Sequence, residues 1–150
     1  MVYIGIDPGK KGALSLLDTR ENSKPLIIPF DPEKYIDTLW AIKCEDEPCI
    51  CCIEQVHALQ GNGVTSSFEF GKTYGWLLGM LDAISVPYQP ISPQKWKKEF
   101  GLISKNKADS IAVCKRLFPG VSLLRTERSR VDDNNMAESA LLSLYAKRKF

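Results

Sequence analysis

Three places in this 150-residue chain put acids where they could do chemistry. Asp7 ends the apolar run Val2–Ile6, and the chain turns away at Pro8-Gly9. An acid at the last position of a central strand is held rigidly at the sheet's edge, where a metal ligand has to be placed. Asp-Pro-Gly is also good turn chemistry by itself. Glu54 closes a second apolar run, Cys49–Ile53, in the same way. Ionised groups are rarely set in hydrophobic surroundings without a partner, and two such strands side by side would juxtapose their carboxylates. The third group is Asp132-Asp133-Asn134-Asn135-Met136-Ala137-Glu138. Either aspartate can serve as a helix N-cap. Glu138, between Ala137 and Ala140-Leu141-Leu142, projects from a small-residue stretch that would pack against the sheet, although an exposed helical acid is the plainer reading. Carboxylates converging from two strands and one helix make an all-oxygen site suited to Mg²⁺ or Mn²⁺ and not to zinc. Two such ions, about 3.5 to 4 Å apart, activate a water and stabilise the leaving 3′ oxygen of a phosphodiester.

The charge distribution points to a polyanion. The net charge is only +2, but Lys95, Lys97, Lys98, Lys105, Lys107, Lys115, Arg116, Arg125, Arg128 and Arg130 crowd one third of the chain against Glu99, Asp109 and Glu127. A basic stretch beside a local carboxylate cluster suits a protein that grips nucleic acid, and a solvated charged face is the alternative. Lys105 and Lys107, ahead of a helix, read as phosphate contacts, as do Lys10 and Lys11 beside Asp7. Trp96 between Lys95 and Lys97 either packs inward or meets sugar and base. Phe68, Phe70 and Tyr74 fit helix-core spacing, with base stacking as the alternative. His57, the only histidine, either assists at the scissile phosphate or packs locally. The stretch from Gln60 through Asn62 to Ser67 opens a helix, so it either offers backbone amides to a phosphate or acts as a hinge. Cys44, Cys49, Cys51, Cys52 and Cys114 lack the second paired cluster of a zinc site and read as small buried hydrophobes in a reducing compartment.

The elements that would carry these residues follow from periodicity and punctuation. Val2–Ile6, Ala13–Leu17 and Pro25–Pro29 read as an antiparallel meander. Asp31-Pro32-Glu33 opens a helix to about Lys43, and Cys49–Glu54 is a buried central strand. Val64–Ile84 is a long core helix, Val86–Gln89 a short strand, and Ser92-Pro93 caps a brief helix through Phe100. A helix from Asn106 or Lys107 to Leu117 stops at Pro119-Gly120. A polar, mobile stretch then covers Val121–Arg130, and a closing helix runs from about Asp133 to Lys149. The order predicts one mixed α/β domain over residues 1–150, with three antiparallel strands, then parallel strands added by helical crossovers. With 44% hydrophobic residues, no apolar run long enough to span a bilayer and no leader-like N-terminus, a soluble, intracellular protein is expected.

Four strings, in this order, resemble RuvC-type Holliday junction resolvases, closest to the short phage-encoded forms. They are Ile4-Gly5-Ile6-Asp7-Pro8-Gly9, Ile53-Glu54-Gln55-Val56-His57, Ser92-Pro93-Gln94-Lys95-Trp96-Lys97 and Ala137-Glu138-Ser139-Ala140-Leu141-Leu142. The resemblance implies an RNase H-like fold, a homodimer and Mg²⁺, with Mn²⁺ as a substitute, two ions per active site. It also implies paired nicks on opposed strands of a four-way junction, with other branched DNA also cut, and a place in recombination and repair in the cytoplasm of a bacterial host. By position, Asp7, Glu54 and Glu138 match the family's acids. Bacterial forms usually place an acid three residues before the last one, where this chain has Asn135. Asp133 is the substitute, with Asp132 and Asn135 in reserve. Whether a branch-migration helicase is a partner stays open. So do two rival readings: a branched-DNA-binding protein that does not cut, and an RNase H-like nuclease for RNA-DNA hybrid.

Overall fold

Residues 1–20, 24–56 and 63–150 are described by the computed structural model. His57, Gln60 and Asn62, candidates above, lie outside the described residues. The first two apolar runs form β1 (Val2–Asp7) and β2 (Ala13–Asp18), joined at a turn where Gly9 takes φ of 119°. Only glycine adopts that conformation without strain. β3 (Leu26–Pro29) completes the meander, and α1 (Pro32–Cys44) follows with Asp31 as N-cap and proline in its first turn. β4 (Cys49–Glu54), α2 (Val64–Ala83), β5 (Tyr88–Ile91), α3 (Pro93–Glu99), α4 (Lys107–Leu117) and α5 (Asn134–Lys149) complete the order.

The sheet runs β3-β2-β1-β4-β5, antiparallel across the meander and parallel from β1 through β4 to β5. Helices cover both faces. Val2, Ile4, Ile6, Cys51 and Ile53 pack with Tyr35 and Leu39 of α1 and Leu77 and Leu81 of α2. On the other face Ala13, Leu17 and Cys52 pack with Trp96 of α3, Cys114 of α4 and the long buried stretch Met136–Leu142 of α5. The alternation of side chains along each strand divides them between these layers. This is the RNase H-like fold expected. The cysteines are free, with Cys44 alone exposed and the other four buried as small apolar groups.

α5 is more central than a single apolar face suggests: Met136–Ser143 are all buried. It lies directly on β1 and β2, where Ser15 donates its hydroxyl to the Ser139 carbonyl at 2.6 Å. A Cβ on Gly5 would stand 2.2 Å from the Ser139 carbonyl oxygen and 2.3 Å from the Ser143 nitrogen, so only glycine admits this contact.

Two elements differ from the sequence reading. β5 begins at Tyr88, not Val86, because Val86 belongs to the end of α2: its N–H donates to the Leu81 carbonyl at 2.9 Å and its side chain is buried. Hydrophobic contact just past a helix end mimics the start of a strand. Pro90 sits within β5, which is tolerated because β5 is an edge strand. The stretch Val121–Arg130 is anchored: Val121 and Leu123 are buried, and Arg125 is fastened by its guanidinium to the carbonyls of Lys11 and Gly12.

Candidate active site

Register brings the first two acids together. Ile6 of β1 is paired with Ile53 of β4 in a parallel ladder, so Asp7 and Glu54 end neighbouring strands at the same level. Asp7 follows Gly5 and Glu54 follows Cys52 at spacing two, which puts both acids on the α5 face of the sheet. The backbone contact at Gly5 then sets Glu138, one residue before Ser139, against that same end. The low stature of Gly5, Ser139 and Ser143 is therefore what lets a helix-borne acid reach the strand-borne pair.

Each glutamate meets a buried donor. The Trp96 indole N–H donates to Glu54 Oε2 at 2.7 Å, and the Ser110 hydroxyl donates to Glu138 Oε1 at 3.0 Å. The Lys97 ammonium lies 3.7 Å from Glu138 Oε2. Among the described residues no side chain hydrogen-bonds the Asp7 carboxylate.

Burial, and then the charges of Glu54, Glu138 and Asp133, push the Asp7 carboxyl well above the usual carboxylate range, with Lys97 only partly offsetting them. Glu54 is raised too, chiefly by burial, against the lowering effect of the Trp96 hydrogen bond and Lys97. A raised carboxyl means that the folded state binds its proton more tightly than the unfolded state. Without divalent ion, these two acids should therefore favour folding at low pH and weaken it as pH rises from the ordinary carboxylate range through their raised values. At neutral pH, saturating Mn²⁺ should raise the melting temperature, and Asp7→Asn should raise it in metal-free buffer. Calorimetry at pH 5 and pH 8, in EDTA and separately in Mn²⁺ without chelator, checks this. An Asp7→Asn protein that melts below wild type in EDTA at pH 8 would contradict it.

No group of three or more His, Cys, Asp or Glu among the described residues is gathered tightly enough to hold an ion as it stands. One oxygen of Glu54 is held by Trp96 and one of Glu138 by Ser110, with Lys97 beside the other oxygen of Glu138. The chemistry of the acids nonetheless fits a hard divalent cation: these are oxygen donors only, crowded enough to repel, with no donor side chain on Asp7 among the described residues.

The third group separates. Asp133 caps α5, its Oδ1 accepting from the backbone N–H of Asn135 at 2.8 Å and Met136 at 3.1 Å, and its Oδ2 accepting from Arg125 Nε at 2.8 Å. Partial burial would raise this carboxyl, but Arg125 and the two amides hold it below its ordinary value. Asp132 is paired with Lys115 of α4. The Asn135 amide donates to the Lys11 carbonyl at 2.8 Å and lines, with Asp7, Gly9, Lys10 and Phe70, an open cleft of about 280 Å³.

Trp96 requires a correction. It is fully buried, with its one polar atom spent on Glu54, so its ring offers no surface to DNA. The flanking lysines suggest an exposed helix, but a one-sided helix of 7 residues can point its aromatic inward while its cations stay in water. Lys10, Lys11, Lys95, Lys98, Lys105 and Lys107 are exposed, Lys97 partly so, and Lys10 is paired with Glu69. Phe68 and Phe70 are exposed, contrary to core packing, and Tyr74 is half-buried. Ser110, buried and far from the acids in sequence, is a site residue that no local pattern marks.

No protein-family model and no curated protein matches the chain. Solved structures do. Thermus thermophilus RuvC superposes with a TM-score of 0.59 at 15% identity, over 99% of this chain and 96% of that one. T. thermophilus RuvC in complex with Holliday junction substrate gives 0.60 at 14% identity, over 99% and 97%. The yeast mitochondrial Holliday junction resolvase Ydc2 gives 0.52 at 17% identity, over 93% and 75%.

Proposed function

We propose that this chain is a divalent-metal-dependent endonuclease that nicks opposed strands of four-way DNA junctions, and that it also acts on other branched DNA. The observation that carries the reading is the convergence of Asp7, Glu54 and Glu138 on one end of an RNase H-like sheet. The fold shared with resolvases supports it, one of them bound to a Holliday junction.

Asp7, Glu54 and Glu138 would hold two Mg²⁺ or Mn²⁺ ions, with Asp133 as the fourth ligand. When bound, the ions supply an activated water and charge stabilisation for the leaving oxygen. The chain's own part is placement. β1 and β4 fix two carboxylates, and α5 brings the third. Lys97 meets the phosphate, giving up its contact with Glu138. Lys10, Lys11, Lys95, Lys98, Lys105 and Lys107 bind the arms, while Phe68 and Phe70 offer open rings to unpaired bases. Gln60 and Asn62 complete the DNA-binding set. Asn135 holds the β1–β2 turn and stands in reserve as an oxygen ligand, as does Asp132.

A homodimer supplies two active sites for paired nicks. α2 supports this arrangement, because its N-terminal turn exposes Val64, and the space beside Gly71, Gly75 and Gly79 is open. Among the described residues no helix is long and apolar enough to cross a membrane. We place the enzyme in the cytoplasm, of a bacterial host if phage-encoded.

Incubation with Mg²⁺ or Mn²⁺ and a panel of four-way junction, flap, linear duplex and RNA-DNA hybrid tests the proposal. Symmetric cuts in the junction are expected. Preferred cutting of the hybrid would reassign the substrate, and binding without cutting would remove the enzyme. Junction affinity should fall steeply with salt, with log K against log[salt] losing about 0.9 of slope for each phosphate contact removed. Lys105→Ala with Lys107→Ala should flatten that slope by about 2, and an unchanged slope would take these lysines off the DNA.

A further inference from the structure

Glu54 and Glu138 are held by donors from outside the elements that carry them. Trp96, on α3, is fully buried and reaches Glu54 Oε2. Ser110, on α4, is 3% exposed and reaches Glu138 Oε1. The indole N–H is a donor only, so its direction is committed to the acid. Glu54 Oε1 has no hydrogen-bond partner among the described residues, and Glu138 Oε2 has only Lys97 at 3.7 Å. Each glutamate thus has one oxygen tied to a rigid, water-excluded donor, while the other is open on Glu54 and faces Lys97 on Glu138.

We propose that Trp96 and Ser110 are positioning residues that fix the two glutamate side chains and thereby set the protein's affinity for its divalent ion. This rests on the nuclease reading above. A glutamate has three side-chain torsions, and ordering a free one on binding costs free energy that a prior hydrogen bond removes. Donors behind a metal ligand matter on this scale generally, with their loss costing about 10- to 100-fold in metal affinity or activity. The helices are built for the task. α4 starts from a reciprocal Asn106–Asp109 cap, which sets the turn that carries Ser110. Trp96 is wedged against Phe100 with ring centroids 6.5 Å apart.

The test is calorimetric titration of Mn²⁺ into DNA-free protein, for wild type, Ser110→Ala, Ser110→Thr and Trp96→Phe. Urea denaturation and junction binding in EDTA are measured alongside. Ser110→Ala should weaken Mn²⁺ binding by about tenfold or more, while its urea midpoint and EDTA junction affinity stay near wild type. Ser110→Thr keeps the hydroxyl and should keep wild-type affinity. Trp96→Phe removes the N–H but keeps an aromatic ring, and should shift Mn²⁺ affinity in the same direction even if Ser110→Ala fails to fold. Wild-type Mn²⁺ affinity in both Ser110→Ala and Trp96→Phe would overturn the proposal. So would a loss shared equally by Ser110→Thr and matched by lost stability. A wild-type protein that binds no Mn²⁺ and cuts no junction would overturn this proposal and the nuclease reading together. Normal wild-type cutting with unaffected variants overturns this one alone.

Discussion

Asp7→Asn should abolish cleavage of a four-way junction, lowering kcat by about 10³-fold or more, or about 4 kcal/mol of barrier. The same change should leave junction binding in EDTA intact or stronger. Asp7 is the acid on which the other charges converge: Glu54, Glu138 and Asp133 all press on it. Asparagine keeps the shape but loses the charge that draws a cation between the strands. It also removes a negative group from a surface that must accept phosphate, so affinity should rise where cutting is lost. Gel-shift and cleavage assays on one preparation separate the two effects. Residual cleavage within tenfold of wild type would move the centre of the site elsewhere.

Gly5→Ala should cost about 3 kcal/mol of folding stability, the upper end of ordinary overpacking. The new methyl would have to enter space already taken by the Ser139 carbonyl and the Ser143 amide, 2.2 and 2.3 Å away. Those atoms are helix backbone and cannot swing aside as a side chain would, so α5 must lift. Lifting α5 moves Glu138, and a displacement of about 1 Å at such a site can cost about 100-fold in rate. Urea unfolding and cleavage below the denaturation midpoint should therefore fall together. A loss under about 0.5 kcal/mol would mean that the helix slides over β1 at little cost.

The prominence of Asp7 and Glu54 is legible because strand patterning is local: an apolar run that ends on an acid announces both the strand and its exit. The meander, the crossovers and the Asp31-Pro32 start of α1 follow from similarly short-range signals. What was not legible depends on contacts between distant segments. Ser110 looks like any helical serine until α5 is laid beside it. Trp96 looks like an exposed aromatic because its neighbours in sequence are lysines, whereas its neighbours in space are Glu54 and Phe100. Val86 is apolar for the sake of a helix end, and that shifts the apparent start of β5. Asp133 is the sharpest case. The expected substitute for a missing acid caps α5 and pairs with Arg125, and the Arg125 contact is one that its sequence neighbours do not reveal.

The placement of α5 also bears on timing. Asp7 and Glu54 lie in the first half of the chain, but the face on which they stand is covered by the last helix in the order of elements. During synthesis, β1, β2 and β4 can pair while that face is still bare. Glu138 and the helix that covers that face arrive together, so under the proposed function competence to cut would come only with a completed fold. A growing chain would thus carry two of its acids harmlessly past nucleic acid, at the cost of a sticky sheet face awaiting its cover.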